Sequence, residues 1–355
     1  MAAMTSSGSD EYALLRHHGD VDAEPGLLDF AVNVRGSRPP DWLRDRLVAA
    51  VDRLGTYPSA ADDLAAREAV ARRHGRAPDQ VMILNGSAEG FALLPRLRPR
   101  LAALVHPSFT EPEVALRGAG VPIDRVQLDA ADGYALHPER VPDEADLVVL
   151  GNPTNPTSTL HPRAVIRALA RPGRVLLVDE AFMDALPGEP ESLADDTDSP
   201  GLLVFRSLTK TWAVPGLRAG YALAAPELLT KLGADRPQWP VGTLVLEAVL
   251  ACSEPRAVLH AESDALEIAE QRLELTSALK ALGVEVNEPA AAPFLLVRVP
   301  DGERVREGLR ARGIAVRRGD TFPGLSPDHL RIAVRERTAE LLAALTAELA
   351  VEVTR

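Results

Sequence analysis

From residue 81 to residue 225 the chain alternates short apolar runs with polar punctuation, and the pattern changes on either side of that span. Val81-Met-Ile-Leu84, the run from Leu101 that ends at the aromatic Phe109, Asp146-Leu-Val-Val-Leu150, the run from Arg174 into Asp179, and the run opening at Leu202 after Pro200-Gly201 are short and aliphatic, with turn-forming residues at their ends. Runs of this kind read as strands buried on both faces, and the helical stretches between them predict an α/β sheet. Asp41 to His74 reads as helix, with Trp42, Leu43, Leu47, Val48 and Val51 before a break at Tyr57-Pro58 and Leu64, Ala65 and Val70 after it. Beyond Pro226 the helices lengthen. Between Ala257 and Leu282, Leu259, Leu266, Ala269, Leu273 and Leu282 fall near helical spacing, and Gly283 ends the helix. Strand-like runs at 294–299, 314–317 and 330–334 precede a closing helix from Thr338. The pattern predicts a large α/β domain over residues 41–230 and a small α+β domain built from 231–355 with the N-terminal arm 11–40. Residues 1–10, small and polar, are expected to be disordered.

Polar residues cluster where the strands end. The strand from Leu202 delivers Ser207, Thr209 and Lys210, followed by Arg218. A lysine at the end of a buried strand can lose its proton and form a Schiff base with an aldehyde, while two hydroxyls and an arginine hold a phosphate. That combination describes a pyridoxal 5'-phosphate site. Asp179, ending another strand, places a carboxylate where it keeps a pyridine nitrogen protonated. After Leu84, Gly86 lets the backbone come close, and the N–H groups of Ser87 and Ala88 at a positive helix end form a phosphate cradle. Arg331 lies inside an apolar strand, where an unpaired guanidinium is costly, so an anionic partner is expected.

The order Gly86-Ser-Ala88, Asn152-Pro-Thr-Asn-Pro-Thr157, Asp179-Glu-Ala-Phe182 and Ser207-Leu-Thr-Lys210, with Arg218 eight residues past the lysine, resembles the fold-type I pyridoxal-phosphate enzymes. Within them it is most similar to the branch of the histidinol-phosphate aminotransferases, which includes the threonine-phosphate decarboxylases of cobalamin synthesis. The likeness covers nearly the whole chain. It implies a mostly parallel sheet between helices, with the cofactor on Lys210 and Asp179 at its ring nitrogen. It puts Phe109 flat against the ring and Asn155 at the phenolic oxygen, with Asn155-Pro156 as a candidate cis peptide. It also implies a homodimer in which Tyr57 reaches the cofactor phosphate of the other subunit. Arg331 would grip the substrate carboxylate and Arg317 a second anion, while the arm brings His18 and Asn33, with His17 and Arg35, toward the substrate. Phe182 departs from the tyrosine of many relatives, which removes a hydroxyl from the cofactor oxygen. The activity implied is transamination of a phosphorylated amino acid or amine. The alternative is decarboxylation of O-phosphothreonine, and a more distant one is a non-catalytic cofactor-binding regulator.

Composition narrows the classes further. At 355 residues, 46% hydrophobic and 25% charged, the chain is long enough for a sizeable core. A net charge of -12 argues against a nucleic-acid groove. The single cysteine, Cys252, excludes an internal disulfide framework and reads as a buried apolar filler. The N-terminus lacks the basic start and apolar core of a signal peptide, and no run approaches the about 18 apolar residues of a membrane span, so a cytoplasmic location is expected. His17 and His18 beside Asp20 have no third ligand at a usable spacing, so no metal is expected. Val175-Leu-Leu-Val-Asp-Glu180 has the look of the second nucleotide motif of an ATPase, but no Gly-x-x-x-x-Gly-Lys-Ser/Thr accompanies it.

Overall fold

The computed structural model describes residues 6–350. The N-terminal arm holds α1 (Ser6–Leu15), α2 (Gly19–Asp22) and β1 (Leu28–Phe30). Then come α3 (Asp41–Val51), α4 (Ala60–His74), β2 (Val81–Leu84), α5 (Ser87–Leu93), β3 (Ala102–His106), α6 (Glu111–Gly118) and β4 (Ile123–Gln127). They are followed by β5 (Leu147–Gly151), α7 (Arg163–Arg167), β6 (Val175–Asp179), β7 (Leu202–Ser207) and β8 (Gly220–Ala224). The C-terminal part holds α8 (Pro226–Leu232), α9 (Thr243–Cys252), α10 (Pro255–Ala281), β9 (Glu285–Val286), β10 (Phe294–Arg298), α11 (Gly302–Ala311), β11 (Ile314–Arg318), β12 (His329–Ala333) and α12 (Thr338–Ala350).

The larger sheet has seven strands in the order β2-β8-β7-β6-β5-β3-β4. Only β8 runs against its neighbours; β3 to β7 pair in parallel, and β2, antiparallel to β8, points their way. Alternate residues of each strand feed two cores. Val148, Leu176 and Val204 enter one, and Leu147, Leu177 and Leu203 enter the other. The carboxyl ends of β2, β3, β5, β6 and β7 therefore come together along one edge, where ligands bind in sheets of this kind. Local chemistry sets the connections. Ser59 and Asp62 cap α4 reciprocally, and Gly75 at φ 64° closes it.

The smaller sheet, β1-β11-β12-β10-β9, has its own core of Val297, Ile314, Ile332 and Leu345 among others. The arm contributes β1, which pairs in parallel with β11. Main-chain carbonyls of the arm are gripped by arginines from these strands and the segments beside them. Arg317 Nη2 donates to His17 at 2.7 Å, Arg310 Nη1 to Asp22 at 2.9 Å, Arg331 to Ala31 and Arg335 to Val32.

Helix α1 runs from Ser6 to Leu15, which is buried and whose carbonyl accepts from Thr110 Oγ1 at 2.6 Å; residues 1–5 of the stretch expected to be disordered lie outside the described residues. One expectation is corrected. In α10 the leucines at seven-residue spacing are not the packed face. Leu259, Leu266 and Leu273 are 72%, 57% and 66% exposed, and the buried stripe is Ala257, Ala261, Ala265, Ile268, Leu275 and Leu279. Ala257 and Ala261 pack into the large core, and Leu275 and Leu279 into the core of the small sheet. Among the described residues no helix is long and apolar enough to cross a membrane.

Candidate active site

A cavity of about 460 Å³ opens along the carboxyl edge of the large sheet and is roofed by the arm and the small sheet. Its wall holds most of the residues singled out above: Ser87, Ala88, Phe109, Asn155, Asp179, Phe182, Ser207, Thr209, Lys210 and Arg218 from the large-sheet side, and His18, Asn33, Arg317 and Arg331 from the other.

Lys210 follows β7 at the cavity floor. Burial depresses its amine to about 8, helped by the cations Arg331 and Arg218 and opposed by Asp179 and Asp20. An amine so placed is a nucleophile near neutral pH. Asp179 ends β6 opposite Gly151, and burial pushes its carboxyl up to about 7. Its Oδ1 is shut from solvent and has no hydrogen-bond partner among the described residues. An orphaned carboxylate oxygen is expensive to bury, and a ring N–H⁺ supplies the partner it lacks.

The phosphate-binding candidates converge from three elements. Gly86, at φ 75°, turns the chain into α5, whose first N–H groups have no intrahelical acceptor. A Cβ at Gly86 would stand 3.1 Å from Arg218 Nη2, so the glycine leaves room for the guanidinium beside that helix end. The Ser207 and Thr209 hydroxyls lie 2.8 Å apart. Backbone donors, two hydroxyls and a guanidinium fit a phosphate, and with Lys210 and Asp179 they fit the whole of pyridoxal 5'-phosphate. Phe109 stands between Phe91 and the imidazole of His18, 5.5 Å from the latter by ring centroid. Phe182 packs edge-on against Phe294. Asn155-Pro156 is cis, as is Asn152-Pro153.

Arg331 carries the anion-binding side. It is 4% exposed, stands 5.3 Å over the Phe294 ring, and donates to Asn155 Oδ1 at 2.6 Å and to the Ala31 carbonyl. The acidic partner expected for it is absent among the described residues, and its Nε is buried without an acceptor. Burial, with Arg317 alongside, lowers it to about 9. Arg317, 2% exposed, is differently placed: Asp22 Oδ2 lies 3.3 Å from Nη1, and Thr321 Oγ1 accepts from Nη2 at 2.6 Å. Asn33 is buried with neither amide atom bonded among the described residues. His18 Nε2 lies 2.5 Å from Glu111 Oε1 and His17 Nε2 lies 3.1 Å from Asp22 Oδ1, so the adjacent imidazoles serve separate carboxylates. Among the described residues no group of three or more His, Cys, Asp and Glu has metal-ligand geometry.

Tyr57 is not on this wall. It is 73% exposed and stacks on Trp239, centroids 4.2 Å apart. Arg35 is also off the wall and lines a neighbouring cavity.

The sequence reading missed the ionic cluster behind the strand ends. Arg206, immediately before Ser207 and fully enclosed, donates to Glu180 Oε2 at 2.9 Å and Asp184 Oδ1 at 2.5 Å and also binds Glu189; Arg73 joins Asp184 at 3.1 Å. Glu180 is the neighbour of Asp179, so this cluster braces the ends of β6 and β7 together. A charged pair inside apolar runs was the available signal. Asp20, on the cavity wall beside His18, was visible only as part of a His-Asp string.

The chain matches the family described as aminotransferase class I and II over residues 27–348. It is 52% identical over 343 residues to a histidinol-phosphate aminotransferase of Mycobacterium bovis, covering 97% of this chain and 93% of that one. It is 31% identical over 331 residues to the threonine-phosphate decarboxylase of Salmonella typhimurium, covering 90% of each. The solved histidinol-phosphate aminotransferase of Clostridium acetobutylicum superposes with a TM-score of 0.84 over 92% of this chain and 100% of that one, and at 23% identity the likeness is one of fold.

Proposed function

Since the chain belongs to the aminotransferase class I and II family, we propose that it transaminates a phosphorylated amine of the histidinol phosphate type with pyridoxal 5'-phosphate carried on Lys210. The observation that supports this most directly is the pairing, in one cavity, of a buried amine lowered to about 8 with a carboxylate whose inner oxygen has no partner. When bound, the cofactor supplies an electron sink for the pair left at the substrate carbon.

The chain's own residues do the rest. Asp179 holds the ring nitrogen's proton, and the bracing of Glu180 by Arg206 keeps that carboxylate in place. Ser207, Thr209, Arg218 and the start of α5 hold the phosphate. Asn155, whose Oδ1 accepts from Arg331, is left with its amide N–H groups to donate to the ring oxygen. Phe182 has no hydroxyl, so Asn155 is the side chain for that task. With the cofactor bound and the substrate amine in place of the lysine, the freed Lys210 amine would be the base that takes the proton from the substrate carbon and the acid that gives it back. Arg331 receives a substrate anion, the carboxylate of an amino donor or the phosphate of the amine, and Arg317 with His18 and Asn33 completes that end. We take residues 41–230 as the cofactor-holding unit, with 11–40 and 231–355 as the unit that closes over it. The Tyr57–Trp239 stack is exposed, as are Val51 and Leu54 shortly before Tyr57 in the chain, which supports a homodimer.

The Salmonella relative supports a second reading, decarboxylation of O-phosphothreonine. Incubation with histidinol phosphate and 2-oxoglutarate, and separately with O-phosphothreonine, decides between them. Glutamate in the first carries the proposal; carbon dioxide in the second with none in the first overturns it.

A further inference from the structure

The arm segment Ala31 to Arg35 runs between two anchors in the site. At one end the Ala31 carbonyl accepts from Arg331. At the other the Arg35 N–H donates to the main-chain carbonyl of Lys210 at 3.0 Å. The Arg35 side chain reaches the opposite way. Its Nη1 donates to the Asp264 carbonyl at 2.7 Å and its Nη2 to Glu267 Oε2 at 2.8 Å, both on α10. The segment is short and is tied at its start as well as at its end. Asp29 Oδ1 accepts from the N–H of Ala31 at 2.7 Å and of Val32 at 2.9 Å, which fixes the turn, and the stretch onward spans at most about 3.5 Å per residue. Through that stretch, a pull on Ala31 reaches Lys210 unless something holds the far end.

We propose that Arg35 is a positioning residue for Lys210, pinning the lysine's main chain to α10 through the arm so that its amine keeps its place whether or not Arg331 is engaged. A carboxylate arriving at Arg331 competes with the Ala31 carbonyl for guanidinium N–H groups and loosens that end of the segment. The clamp on α10 stops the disturbance at Arg35. The charges that weigh most on the amine are Arg331, Arg218, Asp179 and Asp20, while the Arg35 guanidinium is paired with Glu267 on α10. Its link to the lysine is the main-chain bond from its N–H to the Lys210 carbonyl.

The inference rests on Lys210 being the cofactor lysine, and its test separates the two. Holoenzyme absorbance is titrated against pH for the wild type, Arg35→Ala, Arg35→Lys and Arg310→Ala; the last removes a different grip on the arm, at the Asp22 carbonyl. Arg35→Ala is expected to move the midpoint of the lysine-bound cofactor by about half a pH unit or more, threefold in proton affinity. It is also expected to slow the single-turnover reaction with glutamate about tenfold at saturation, with half-saturation little changed. Arg35→Lys, which keeps a donor for Asp264 and Glu267, should restore both at least in half, and Arg310→Ala should leave the midpoint at the wild-type value. A midpoint in Arg35→Ala equal to that of Arg310→Ala, with normal cofactor absorbance, overturns the role of Arg35 alone. Wild-type protein with no lysine-bound absorbance overturns the proposed function instead.

Discussion

Arg317 and Arg331 face each other as register partners across the antiparallel strands β11 and β12, two enclosed guanidinium groups of which Arg317 alone has a carboxylate, Asp22, within bonding distance. Like charges directly opposite on a sheet repel, and in a buried setting the repulsion is weakly screened. Arg317 has its counter-ion and Arg331 does not, so the pair is short of one negative charge and Arg331 is the place to receive it.

Replacing Arg331 by leucine should therefore separate activity from stability. A charge-assisted pair with a carboxylate is worth roughly 1.5–3 kcal/mol, about tenfold to a hundredfold in rate or affinity. Single-turnover reactions with glutamate or O-phosphothreonine should fall by that factor. The melting temperature should not fall by more than a few degrees, because desolvating a cation without a counter-ion costs folding energy that offsets its hydrogen bonds to Asn155 and Ala31. An unchanged response to both carboxylates would make Arg331 structural.

Stability of the cofactor-free protein should depend on pH through Asp179. Its carboxyl lies near 7 when folded against an ordinary 3.8, so between those values the folded chain holds a proton that the unfolded chain has released. Stability contributed at low pH is then lost as pH rises from about 4 to about 7. Asp179→Asn removes that loss, and urea unfolding across this range should show the variant gaining on the wild type by an amount on the order of 1–3 kcal/mol at pH 7. Lys210 acts in the next window. Its amine lies near 8 folded against 10.5, so stability recovers between those values, and Lys210→Met should flatten that rise.

Gly86→Ala tests the phosphate cradle. The residue stands at φ 75°, and the new Cβ lies 3.1 Å from Arg218 Nη2. With ψ 163° this is an extended positive-φ conformation that essentially only glycine adopts, which costs a residue with a side chain roughly 1–3 kcal/mol, and the guanidinium must also move. Cofactor affinity, followed by absorbance on reconstitution, should fall about tenfold or more.

Lys210→Ala should abolish turnover and the borohydride-reducible bond to cofactor. Light scattering should give twice the chain mass, and Tyr57→Ala should weaken association and cofactor retention together. A fully active monomer would count against the shared site.

The parts of the site on the large sheet were legible because its parallel strands are aliphatic runs that stop abruptly, so Asp179 stands out as the first polar residue after an apolar stretch, and Ser207 and Lys210 as part of the polar group that follows Leu202–Phe205. Arg331 was legible for the same reason in reverse, a charge inside a strand, but its want of a counter-ion was not, since Asp22 approaches Arg317 from 295 positions away in the chain. The buried face of α10 was misread because alanine, which permits close packing, carries less apolar signal than the exposed leucines. Arg206 and Glu180 were visible as charges beside apolar runs, but their pairing with each other and with Asp184 and Glu189 joins separate segments and no local spacing reveals it.

The arginines that hold the arm do so by its carbonyl oxygens, a feature every residue type offers alike. At those four points attachment does not depend on which side chain the arm carries, whereas Asp22 and Arg35 fasten it by their own side chains; Asn33, which has no bonded side-chain partner among the described residues, is the arm position freest to be exchanged. An enzyme built this way can acquire a new substrate by point changes along one ribbon, while the machinery that fastens the ribbon and holds the cofactor stays as it was.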